Sequence, residues 1–103
     1  MLKLYNTFTK SLETLESTGS DVKIYLCGPT VQSSPHIGHG RSAVVFDFMV
    51  RYIKFSGKSV IFARNITDID DKIIEKSIEE NITYQDLGER VTKEFKDSYD
   101  ALN

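Results

Sequence analysis

Two apolar runs, VKIYL at residues 22–26 and SVIFA at 59–63, flank a stretch whose apolar residues wrap almost all the way round a helix. That succession leaves few folds open. VKIYL is mostly β-branched and apolar and predicts a strand. SVIFA is a continuous apolar run, the pattern of a buried parallel strand. Between them, residues 38–56 predict a helix. Asp47, Arg51 and Lys54 fall at i, i+4 and i+7 and form one narrow polar stripe. Val44, Val45, Phe46, Phe48, Met49, Val50, Ile53 and Phe55 fill most of the remaining circumference. Such a helix is expected to be buried against something broad, such as a sheet. Gly57 is a natural stop just past its end. Strand, helix, strand is a βαβ unit, and the fold class is α/β.

The flanks are less regular. Leu2 to Tyr5 alternates weakly and suggests a short strand, and Thr18 to Asp21 carries a turn signal. Thr67 to Asp70 has the spacing of a helix-capping box, which would put Asp68, Asp70 and Asp71 in a first turn. Ile69, Ile73, Ile74 and Ile78 supply an apolar side for that helix. Thr83 to Asp86 repeats the capping pattern before a second helix, with Tyr84, Leu87, Val91, Phe95, Tyr99 and Leu102 at helical spacing. Two strong strands are few, because doubly wound sheets usually have five or six. Residues 1–103 therefore read as the first half of a larger domain, β-α-β followed by helices.

The net charge of −2 gives no general basic field for nucleic acid, so any RNA contact must be local or come from elsewhere. A single cysteine excludes an internal disulfide framework and suits a reducing compartment. No apolar run approaches the roughly 20 residues needed to span a bilayer, and MLKLYNTFTK lacks a signal-peptide core. The expectation is a cytoplasmic chain without membrane contact. Asn65-Ile66-Thr67 and Asn81-Ile82-Thr83 match the glycosylation pattern but have no meaning in that compartment.

Both histidines, both prolines and the only cysteine crowd into CGPTVQSSPHIGH, residues 27–39. The segment joins the first strand to the helix, beyond the strand's carboxyl end, where open α/β sheets bind ligands. The helix start there offers unpaired N–H groups and positive partial charge to a phosphate. Ser33 or Ser34 is a possible cap, and Pro35 fits near the first turn. Gly38 removes a side chain where a flat ligand could approach. His36 and His39 share a face and can donate hydrogen bonds to a phosphate as charge develops. Three other readings stand beside this one. The histidines are ordinary loop or cap residues, or Cys27, His36 and His39 form a local zinc site, or Cys27 is simply a small buried hydrophobe.

HIGH, residues 36–39, resembles the signature of class I aminoacyl-tRNA synthetases. The flanking stretches YLCGPTVQSSPHIGHGRS, FDFMVRYI and RNITDIDDKII narrow the resemblance to the cysteinyl-tRNA synthetases, across nearly the whole chain. The resemblance implies the N-terminal half of a Rossmann-like (HUP-type) parallel-sheet nucleotide-binding domain. It implies ATP-dependent activation of cysteine to cysteinyl-adenylate and transfer to tRNA(Cys), with Mg2+ accompanying ATP. By the same match His36 and His39 are the catalytic pair on the ATP phosphates, and Gly38 lies near adenosine. Pro29 and Thr30 join the ligand-binding set, and Thr67 lines the amino-acid pocket. Cys27 is one ligand of a zinc ion that binds the substrate thiolate; the family's other ligands, its KMSKS loop and its tRNA-binding region lie beyond residue 103. Asp70 needs no such role, since capping explains it. The isolated chain is accordingly expected to be inactive. A stand-alone nucleotide-binding or interaction module, and the first part of a ligase joining cysteine to an amino sugar, are the alternatives.

Overall fold

The computed structural model describes residues 2–16, 19 and 21–102. Seven elements follow one another: β1 (Lys3–Asn6), β2 (Ser11–Thr14), β3 (Asp21–Leu26), α1 (Ile37–Phe55), β4 (Ser59–Arg64), α2 (Asp71–Glu80) and α3 (Tyr84–Ala101). β3 and β4 pair in parallel from Asp21↔Ser59 to Leu26↔Arg64, joined through α1, so the βαβ unit stands as read. α1 stops where expected, with Ser56 as C-cap and Gly57 at φ +86°. The turn signal at Thr18 and Ser20 lies outside the described residues.

The first two strands form an antiparallel hairpin, Lys3↔Thr14 to Asn6↔Ser11. The sequence suggested β1 but not β2. Asn6 starts the turn by accepting the Phe8 N–H at 2.9 Å, and Lys10 closes it with φ 55°. The Glu13 carboxylate accepts hydrogen bonds from Asn6, Thr9 and Ser11, which hold its pKa below the ordinary value, Asn6 first.

Three expectations change. First, α1 is not buried all round. Ile53 is its one buried residue, whereas Val45, Phe48 and Phe55 are 56, 72 and 91% exposed. Two strands lie about 5 Å apart, and a helix with its side chains is about 10 Å across, so this sheet cannot cover it. Second, Thr67 does not cap α2. Its N–H donates to the Pro29 carbonyl at 3.0 Å and its carbonyl accepts from Val31 N–H at 3.1 Å, so its backbone is spent on pairing. Asp70 caps instead, accepting Lys72 N–H at 2.9 Å, and only Asp71 sits in the acidic first turn. Of the isoleucines, Ile73 is buried while Ile69, Ile74 and Ile78 are exposed. Third, neither Ser33 nor Ser34 caps α1, because His36 does, with Pro35 outside the helix. Ser34 precedes proline, which pushes it toward extended backbone.

The packed core lies under α2 and α3. Val31, Ile73, Leu87, Val91 and Phe95 are each at most 1% exposed, and Ile66, Ile82 and Tyr99 pack against them. Leu87, Val91 and Phe95 are the face read from helical spacing. Thr83 caps α3 as expected, its hydroxyl accepting Asp86 N–H at 3.1 Å. Asn81 ends α2 in the left-handed conformation, φ 56°.

Candidate functional site

Two loops leave the carboxyl ends of β3 and β4 side by side. The strand ladder ends at Leu26↔Arg64 and resumes as a single parallel bridge, Thr30↔Thr67. Residues 27–29 on one side therefore face 65–66 on the other, three against two. The extra residue makes a bulge-like break, a device that re-aims side chains beside sites. Cys27 stands in that break. It is exposed, and its Sγ has only a weak contact, 3.8 Å to the Gly28 carbonyl.

Gly28 is required by close approach. A Cβ there would lie 1.7 Å from the Asn65 carbonyl oxygen. Its N–H donates to Asn65 Oδ1 at 2.6 Å. Asn65 Nδ2 in turn reaches Thr67 Oγ1 at 3.4 Å. The structure thus brings Pro29, Thr30 and Thr67 together as expected candidates, and adds Gly28 and Asn65. The signal for the pair was present but silent: each is within two residues of its strand's end.

The helix start carries the second group. His36 Nδ1 accepts Gly38 N–H at 3.1 Å, and His39 Nδ1 accepts His36 N–H at 3.1 Å. This is a reciprocal capping box built from two imidazoles. An Nδ1 that accepts an N–H carries no proton, so each neutral ring keeps its proton on Nε2. Two Nε2–H donors therefore remain for another partner. The rings lie 4.0 Å apart between centroids. His39 also meets the edge of Phe95 at 4.9 Å, and burial first, then His36, lowers its pKa. The space above Gly38 is taken by His36 itself: a Cβ would come within 2.9 Å of the ring. A shallow apolar depression of about 650 Å³ runs from His36 past Ile37, Gly40 and Val44 to Tyr99 and Leu102.

Both groups rest on the same core. Val31, next to Thr30, is fully buried in it, and Phe95 touches His39. Gly88 of α3 lies 3.6 Å, by its would-be Cβ, from the Asp68 carbonyl and 3.9 Å from Val31. Among the described residues, no three His, Cys, Asp or Glu side chains gather as a metal site, so the local zinc site of Cys27, His36 and His39 does not form here. Both His Nδ1 atoms are in any case occupied by backbone N–H groups. Cys27 as a small buried hydrophobe is likewise set aside by its exposure.

The parallel β3–β4 pair joined through α1 makes the fold α/β. Residues 13–103 match the family model described as tRNA synthetases class I (C) catalytic domain, and the chain belongs to that family. Among similar proteins is a cysteine–tRNA ligase of Blochmanniella pennsylvanica, 46% identical over 100% of this chain and 22% of its own length. A cysteine–tRNA ligase of Nitratidesulfovibrio vulgaris is 46% identical over 99% and 21%, and one of Shewanella baltica 44% over 100% and 23%. The chain spans roughly a fifth of these relatives' length. No described helix is long and apolar enough to cross a membrane.

Proposed function

We propose that these 103 residues are the N-terminal portion of the catalytic domain of a cytoplasmic cysteine–tRNA ligase. The enzyme activates cysteine with ATP, releasing pyrophosphate, and passes the cysteinyl group to tRNA(Cys). The observation that carries this reading is the histidine capping box: two Nε2–H donors held over the start of α1, in a chain of this family.

The residues divide the work. His36 and His39 donate to ATP phosphates, which arrive with Mg2+, at a helix end whose partial charge favours an anion. Because the donors are fixed before the substrate arrives, they stabilise developing charge without reorganising. The apolar depression beside His36 and Gly40 suits the adenosine. Pro29, Thr30 and Thr67 border the amino acid, their backbones locked together by the Thr30↔Thr67 bridge. Cys27 fits a zinc ligand in part: its thiol is exposed and weakly bonded, but it is one donor, and the others must come from beyond these residues. When bound, zinc would select cysteine over serine by taking its thiolate.

The test is cysteine-dependent ATP–pyrophosphate exchange by the complete ligase carrying these residues, followed by charging of tRNA. Exchange with cysteine but not serine, and acceptance by tRNA rather than an amino sugar, is the expected result. Ligation to an amino sugar would contradict the acceptor. The 103-residue chain alone should give no exchange.

A further inference from the structure

We propose that Asn65 is a positioning residue for the Cys27 thiol, acting through the Gly28 amide. Its effect on substrate rests on the function proposed above. Where the β3–β4 ladder breaks, backbone pairing no longer fixes Cys27 and Gly28; it resumes at the Pro29 carbonyl, which accepts the Thr67 N–H. The Asn65 side chain supplies what the ladder lacks. Its Oδ1 accepts the Gly28 N–H at 2.6 Å, a bond between residues 37 apart in sequence. Gly28 and Asn65 are both half-buried, so an unpaired N–H there would be costly. The missing Cβ at Gly28 lets the two backbones meet, 1.7 Å being the distance a Cβ would have from the Asn65 carbonyl. Cys27 is bonded directly to Gly28 and has no strong bond of its own. The orientation of the peptide between them is therefore set from Asn65. The same side chain reaches Thr67 Oγ1, so one residue registers both loops of the site.

The discriminating variants are Asn65→Ala, which removes the acceptor, and Asn65→Asp, which keeps an oxygen for Gly28. Asn65→Ser, whose shorter side chain withdraws the oxygen, replaces the alanine variant if that does not fold. In the complete ligase without substrates and stripped of zinc by a chelator, iodoacetamide modification of Cys27 is followed on its own peptide by mass spectrometry. Asn65→Ala should change the rate about fivefold, and Asn65→Asp should restore it, in line with loss of one hydrogen bond. Equal rates in all variants overturn the proposal. In pyrophosphate exchange, Asn65→Ala should raise KM for cysteine about fivefold while KM for ATP holds. Both KM values rising together, or a lowered Tm with neither changed, would mean a merely structural role and also overturn it. A wild-type ligase without cysteine-dependent exchange would defeat the functional reading alone, since the modification rate decides positioning independently.

Discussion

The two longest helices contrast. α3 turns Leu87, Val91 and Phe95 into a core where each is at most 1% exposed, while α1 leaves Phe48 and Phe55 72 and 91% exposed. Both are apolar enough to pack, so the difference lies in what faces them. α3 has α2 and the two site loops against it; α1 has β4 and the side of α3. The site residues follow the packed region. Val31 pins the first loop into the core, and Phe95 carries the packing up to His39. α1 is fully buried only at Ile53, while Phe46, Met49 and Val50 along its middle are half-buried.

Truncations should expose that contrast most sharply. Phe95→Ala should cost about 4 kcal/mol in denaturant unfolding, the usual range for a buried aromatic. It should also free the His39 ring, seen as loss of its aromatic-shifted NMR signal. Phe48→Ala, on the exposed face of α1, should stay within about 0.5 kcal/mol. A large loss there would mean that α1 is packed after all. Next in size, Thr83→Ala should cost about 1 kcal/mol through the lost cap of α3, checked by the same unfolding curve.

The pH response belongs to the α1 end. The folded pKa of His39 lies below the ordinary 6.5, because burial and then His36 disfavour its charge. The unfolded chain therefore takes up the proton first as pH falls. The stability tied to neutral His39 is complete above pH 6.5 and is lost as pH falls through the lowered folded value. Tm should drop on that descent, and the drop should vanish in His39→Gln. Smallest of all is the ion pair Asp47–Arg51, 2.6 Å apart but more than half exposed: Asp47→Asn should change stability by no more than about 0.5 kcal/mol.

The parts legible in the sequence were those governed by near neighbours. The apolar runs before and after α1 became β3 and β4, Gly57 and Thr83 ended and began helices, and the 87/91/95 spacing marked the core face. β2 was hidden because its side chains are almost all exposed, so no alternation marks it. The exposure of α1 was hidden because periodicity records which residues are apolar and not what covers them. Thr67 looked like a cap because capping is local; pairing with Pro29 and Val31, some 36 residues away, took its backbone instead. The Gly28–Asn65 contact has no local pattern at all, since it exists only once two strands lie in register. HIGH was legible as a helix start, and its histidines as cap residues among the alternatives, but not that the two would cap each other reciprocally.

That double duty allows a direct test. In the complete ligase, His36→Asn with His39→Asn keeps a short oxygen able to accept the Gly38 and His36 N–H groups, and leaves no donor where either Nε2–H stood. Cysteine-dependent ATP–pyrophosphate exchange should fall by about 100-fold or more, with Tm nearly unchanged. Exchange at the wild-type rate in a folded double variant would contradict the account, leaving the histidines as caps and nothing more.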